Sequence, residues 1–439
     1  MVLGRKTVSL LVVLGVLGFP ALLLRFLCVG NSCDEQVSAS SEVPFCSLDA
    51  GLRSRLEDGF REGRSPEVLV VARSDSIAGG TGYRRTGVAP PWPSSDLGGA
   101  RVPLLFTGEG VTAAELPAGT SVTDIAPTLA EVIDFERPFP EVRSGEAIPG
   151  VAQGEAPRLL LQVIWKGVGS EDLEGQPERW PYLASLMDEG AATLEGDTGS
   201  LPLEPAAVIS TIGTGGSPSQ HGITGELVRN DEGELVGAFS AGAESPVIAT
   251  LGDDLDEVLG QEPLVGVVGA SPSDRGASGG EWYGAGSDSD EVVIDRKDQV
   301  GPAVAMLSGG FGTDEVPDLM SVVMNGDLRA MDRGLKRIVA AAVEASDGSL
   351  ALALTATGSA ASEAGMTAAE VATEVDEAVG ETVTEAAVPG GLFLDQRALT
   401  DLEISEDEVI AELRRLRGPD GALFGDVFAA IAVSFARFC

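Results

Sequence analysis

The sequence predicts a layered α/β fold, a central and mostly parallel sheet flanked by helices. Three observations carry this. Short apolar runs recur at 159–165, 263–271, 319–325 and 350–356, as in strands buried on both faces. Helical patterns alternate with them, which is the layout of a layered domain. The composition, 44% hydrophobic over 439 residues, is that of a globular chain with a large core.

Taken in order, 67–74 (EVLVVARS) and 102–110 (VPLLFTGEG) read as strands, and 124–133 as a helix with Asp124 as its N-cap candidate. The run Leu159 to Trp165 reads as a buried strand. It reaches Lys166, turns through Gly167 and Gly169, and enters a helix at Ser170 with acids in its first turn. Strands at 263–271, 319–325 and 350–356 follow. The segment 327–345 places Leu328, Met331, Leu335, Ile338 and Val339 on one helical face. Residues 359–390 are rich in Ala and Glu, and Val371, Val375 and Val379 recur every four positions, the mark of a surface helix. A capping box from Ser405 to Glu408 opens a further helix that stops near Gly418. The apolar run 427–438 reads as strand or helix. No internal repeat is visible.

The formal net charge is −39, and acids outnumber bases throughout the chain. Such a field repels nucleic acid and anionic lipid, so no nucleic-acid partner is expected. At the N-terminus Arg5 and Lys6 precede the uncharged stretch Val8 to Leu24, close to the lower limit of about 17 residues for a membrane-spanning helix. Residues 1–30 are therefore expected to be a membrane anchor or signal segment, an uncleaved anchor being favoured over a cleaved signal. A polar tether over 31–45 and a folded region over 46–439 follow. This organisation implies a single-pass cell-membrane protein with the bulk of the chain extracytoplasmic. Cys28 lies in the apolar stretch, while Cys33, Cys46 and Cys439 lie outside it, where disulfides persist.

Several stretches together resemble the alkaline phosphatase superfamily, in its type I phosphodiesterase/nucleotide pyrophosphatase branch. "TIGTGGSPSQHGITG" (211–225) is similar to that family's T-x-x-T-G…P-x-x-H-G-I element, and "WPYLASLMDEGA" (180–191) to the helix before it. "VPDLMSVVMNGD" (316–327) resembles the later strand that ends in a metal-binding Asp. Residues 102–133 resemble the family's C-terminal stretch, yet they come first here. The order implies a circular permutation joined at 149–157, with 46–150 resembling the family's C-terminal part and 158–360 its N-terminal and middle parts. Permutation is tolerated where the old termini lie close together.

The resemblance implies a two-metal site, usually zinc, that activates a Ser or Thr nucleophile for phosphoryl transfer. Carried over position by position, the first metal-binding Asp falls on Lys166 and the nucleophile on Pro205, with Ser200 the nearby hydroxyl that one gap would bring closer. Asp327 is retained. The His after it is Met331, and an Asp-His pair falls on Thr357 and Gly358. No His precedes "VPLLF". The family's site implies three histidines, and the chain holds one, His221, expected to be structural. The zinc sites are therefore expected to be lost and no catalytic residue or cofactor is expected, although carboxylates leave calcium possible.

Lys166 is expected to pair with Asp327, or alternatively to bind an anionic ligand. The permutation also places the two ends of the folded region together, so a Cys46–Cys439 disulfide is expected, with Cys33–Cys46 the alternative. Three further stretches are noted: the Gly-rich turn 79–82 lacks the phosphate-loop pattern, Trp282 and Tyr283 are candidate pocket residues, and 287–291 (SDSDE) is a candidate calcium loop without the full EF-hand pattern. The leading functional expectation is a membrane-anchored binding or structural protein on an alkaline-phosphatase-like fold. The alternatives are a metal-dependent phosphomonoester or phosphodiester hydrolase with a non-standard site, and an acidic calcium-binding surface protein.

Overall fold

The computed structural model describes residues 44–73, 77–79, 88–240, 246–279, 291–361, 366–418, 421–436 and 439. The short 3-10 turn Pro44–Ser47 belongs to a unit that ends at Ser47, and Leu48–Cys439 forms a second compact unit.

In that second unit an eight-stranded sheet dominates. Its spatial order is Glu291–Ile294, Val265–Gly269, Asp318–Met324, Leu159–Trp165, Leu350–Ala356, Arg101–Gly108, Ala191–Asp197 and Ala114–Glu115. Only Arg101–Gly108 runs against the rest. Every residue of the strands beginning at Val265, Leu159, Asp318 and Leu350 is buried, as their unbroken apolar runs demand. These strands build the main core with helices from both sides of them in sequence. The helix Leu328–Ala345 turns in Leu328, Met331, Leu335, Ile338 and Val339, the face its spacing predicts. The fold is thus the expected mixed α/β architecture.

Two polar clusters are set inside this apolar frame. The side chain of Gln162 accepts from the Ser321 hydroxyl across the sheet at 2.9 Å, and Ser321 in turn accepts from Ser278 at 2.8 Å. Elsewhere Arg137 and Arg143 both donate to Asp254 Oδ2, at 2.7 and 3.0 Å, and both donate to the carbonyl of Thr214. That carbonyl belongs to the last residue of the buried helix Pro205–Thr214. The arginines therefore neutralise the negative end of its dipole at a largely buried site.

Several local expectations are revised. The strand Val68–Ala72 is not part of the central sheet. It joins a separate antiparallel sheet in the order Thr384–Val388, Gly391–Leu394, Val68–Ala72, Phe424–Ala429. This sheet packs on the helices Ala368–Val379 and Glu406–Arg415 through Val371, Val375, Val409 and Leu413. The 359–390 segment thus holds a helix and the start of a sheet. The apolar C-terminal run is divided between strand and a short helix, Ile431–Ser434. Asp124 does not cap the helix Ile125–Val132 with its side chain. It closes a capping box with Ser121 around the preceding 3-10 turn, because the chain enters the helix through that turn.

The expected membrane attachment is corrected. No helix among the described residues is long and apolar enough to cross a membrane. The longest, Leu328–Ala345, carries Arg329, Asp332, Arg333, Lys336, Arg337 and Glu344 and is amphipathic. The anchor stretch Val8 to Leu24 and the tether lie outside the described residues, and the single-pass localisation built on them is not retained.

Cys46 and Cys439 form the expected disulfide. It closes nearly the whole folded chain into one loop, which in the chain-entropy account stabilises by about 6 kcal/mol. Non-reducing peptide mapping should recover the Cys46–Cys439 pair, and Cys439→Ser should lower the urea midpoint and steepen the slope, because the uncrosslinked chain unfolds to a more open ensemble.

Candidate functional site

The strands Asp318–Met324, Leu159–Trp165 and Leu350–Ala356 lie side by side in parallel, with Trp165 opposite both Met324 and Ala356. Ligand clefts in open α/β sheets lie outside such carboxyl ends. The next residues along two of these strands are Lys166 and Thr357, and the sheet brings them together. The Lys166 amide donates to the Met324 carbonyl at 2.8 Å, and the Thr357 amide to the Trp165 carbonyl at 3.0 Å. Thr357 Oγ1 accepts from the Gly167 amide at 2.9 Å. Gly358 follows, with its Cα beside Leu203 and the Gly99 carbonyl.

The Lys166 ammonium is fully buried and meets Asp274, not Asp327. Its Nζ lies 2.5 Å from Asp274 Oδ1, both side chains are 0% exposed, and it donates to Ser271 Oγ at 3.3 Å. Asp274 stands in the 3-10 helix Pro272–Ala277, just after the strand Val265–Gly269. Its Oδ2 accepts from the Ala270 and Ser271 amides at 2.7 and 3.0 Å, and its Oδ1 from the Ser271 hydroxyl at 3.2 Å. This carboxylate thus faces the ammonium with both oxygens engaged by donors, the arrangement a buried ion pair requires. Close approach is built in at Gly269, where a Cβ would lie 2.5 Å from Asp274 Cβ. It recurs at Gly213, where a Cβ would lie 2.1 Å from the Gly276 carbonyl oxygen, so the helix Pro205–Thr214 seats directly on the 3-10 turn.

Polar contacts continue outward from this pair. Ser271 Oγ is 2.7 Å from Ser273 Oγ, and Ser273 donates to both carboxylate oxygens of Glu226 at 3.0 and 3.1 Å. The Glu226 amide bonds the Glu204 carboxyl group. Burial, with the Glu226 charge adding to it, holds the Glu204 acid well above the usual carboxylate range despite that amide.

Asp327 is placed elsewhere. Its carboxylate caps the helix Leu328–Ala345, accepting from the Arg329 and Ala330 amides, and is ion-paired with Arg179 near solvent. The cap directs the side chain along the helix start, so the expected Lys166–Asp327 pair does not form. The anion-binding alternative for Lys166 meets the same obstacle, since its charge is already matched and sealed. Met331 is a core residue, and Pro205 is the buried first residue of its helix behind Glu204. Ser200, five residues earlier, keeps a buried hydroxyl without a hydrogen-bond partner.

His221 is structural, as expected. Its Nδ1 accepts from the Ile223 amide at 3.1 Å, and its Nε2 lies 3.0 Å from Thr211 Oγ1. Burial and then the nearby Arg61 charge lower its pKa to about 3, against the opposing Ala207 carbonyl. With both nitrogens engaged, the ring ties the helix Pro205–Thr214 to the turn that follows it.

A cavity of about 240 Å³ does open near the strand ends, but Leu203, Ser359 and Ala360 line it together with Asp96, Glu171 and Asp172, and Lys166 does not. Among the described residues no group of three or more His, Cys, Asp or Glu is arranged to hold a metal ion. Trp282, Tyr283, residues 80–82 and residues 287–290 lie outside the described residues. The partners missed from sequence were Ser271, Asp274 and Glu226. Ser271 to Asp274 is an S-x-x-D capping pattern directly after an apolar run, and it was the legible sign of a turn at that strand end.

Two outcomes are expected. Lys166→Met should destabilise by about 3–5 kcal/mol by stranding a buried carboxylate, and Lys166→Met/Asp274→Leu should recover most of that loss in denaturant unfolding. For His221, the unfolded imidazole takes a proton below 6.5, while the folded one resists it to about 3. Its contribution is therefore complete above 6.5 and is lost as pH falls toward 3, at about 1.4 kcal/mol per unit. His221→Gln should flatten that slope in unfolding measured across the window.

No family model matches this chain, and no curated protein matches it. Among solved structures it is similar to wild-type alkaline phosphatase PafA, with a TM-score of 0.41 and 14% identity, covering 59% of this chain and 76% of that one. A mutant of the same alkaline phosphatase gives the same values.

Proposed function

We propose that this chain is an alkaline-phosphatase-like domain of the type I phosphodiesterase/nucleotide pyrophosphatase branch, circularly permuted, that has a binding or structural role in place of phosphoryl transfer. The observation that carries the reading is the sealed Lys166–Asp274 pair, at the strand end where the resemblance puts a metal-binding carboxylate. An ammonium repels a divalent cation, and this one is neutralised by its neighbour. The other carried-over positions argue the same way. Asp327 is engaged by Arg179 and a helix start, Met331 is core, and Pro205 has no hydroxyl. Zinc takes nitrogen and sulfur ligands readily, and the one imidazole is engaged at both nitrogens. These residues do not fit a two-zinc centre.

The permutation draws support from the sheet. The strand Arg101–Gly108, early in sequence, pairs beside Leu350–Ala356, the last of the central strands. The proposed joint passes the far end of that strand, where the Gln153 amide donates to the Gly110 carbonyl at 2.8 Å.

Purified protein assayed with aryl phosphate mono- and diesters, with Zn²⁺, Mg²⁺, Mn²⁺ or Ca²⁺ added in turn, should show no turnover above buffer. Turnover that co-purifies with the chain and disappears in Asp327→Asn would replace this reading with the hydrolase one.

A further inference from the structure

A second feature stands apart from the Lys166 pair. A narrow cleft of about 20 Å³ lies beside the antiparallel sheet that holds Val68–Ala72, walled by Leu56, Leu69, Leu227, Pro93 and Pro202. Three polar side chains line it: Ser65, Glu204 and Thr224. Thr224 is 7% exposed, and its hydroxyl has no hydrogen-bond partner in the protein. A buried hydroxyl left unmatched costs about 1–3 kcal/mol, so a partner is called for.

Size selects the partner. A void needs roughly 10–15 Å³ to take one water, while a benzene-sized guest fills about 150 Å³. This cleft passes the first threshold and falls far below the second. Chemistry agrees, because a buried water makes about three hydrogen bonds. Ser65 Oγ accepts from the Arg61 amide at 3.0 Å and keeps its own proton to donate. Thr224 can both donate and accept. Glu204 faces the cleft with a carboxyl group that can accept from such a water.

We infer that this cleft is a specific hydration site, in which one water joins the Thr224 hydroxyl to the Glu204 carboxyl group and to Ser65. The apolar walls exclude further solvent, so the water is single and ordered. It also supplies the solvent end of the polar run from Glu204 through Glu226 and Ser273 to Ser271 and the Lys166–Asp274 pair. The site is independent of the proposed function and does not fail with it.

The test is an atomic-resolution crystal structure of the disulfide-bonded chain, wild type and Thr224→Val. The wild type should show one water within hydrogen-bond distance of both Thr224 Oγ1 and the Glu204 carboxyl group, and the near-isosteric Val variant should lose it. A dry wild-type cleft overturns the inference, as does a water that stays in place in Thr224→Val. Should the variant not fold, the wild-type density decides alone.

Discussion

The buried contact between Lys166 and Asp274 is the constraint around which the carboxyl end of the sheet is organised. Two full charges out of water are tolerable only with close geometry and with every remaining lone pair engaged. Asp274 meets that demand through two amides and a hydroxyl besides the ammonium. The ammonium hangs from the Leu159 strand and the carboxylate from the turn after the Val265 strand, with the Asp318 strand lying between those two in the sheet. The pair thus spans a strand and fixes the turn on which the helix Pro205–Thr214 is seated. Net stabilisation from such a pair is small, and its main effect is to exclude other arrangements.

That helix illustrates how much the fold asks of one short segment. All ten of its residues are buried. Its last carbonyl, that of Thr214, is met by Arg137 and Arg143, and its exit turn is held by His221. A helix without a solvent face obtains from side chains what water supplies elsewhere. This explains why a chain so rich in acid keeps arginines at interior positions, where the planar guanidinium serves two acceptors at once.

The fold class was legible because buried parallel strands leave a plain trace, an apolar run closed by Gly or Asp, and four such runs were readable. The small antiparallel sheet was not legible. Its strands at 384–388 and 391–394 are short and sit beside a helix whose Val repeat dominates the window. The site was half legible. Lys166 stood out because a cation at a strand end is unusual. Its partner was misassigned to Asp327, since equivalence to a family position cannot tell a carboxylate that caps a helix from one that crosses the sheet. The Cys46–Cys439 pair was reachable only through the resemblance, whose permuted order puts the two ends of the folded region together, since the cysteines by themselves left Cys33–Cys46 open.

The contact of Gln162 with Ser321 has a consequence for strand alignment. In a sheet apolar on both faces, sliding one strand past its neighbour by a residue exchanges one aliphatic surface for another. Hydrophobicity alone then barely discriminates among alignments. Gln162 and Ser321 stand directly opposite in the observed pairing. A shift by one residue would send their side chains to opposite faces and leave an amide and a hydroxyl unmatched in the driest part of the molecule. The two residues act as a vernier mark, admitting one setting of the Leu159 strand against the Asp318 strand where the surrounding Leu and Val side chains would accept several.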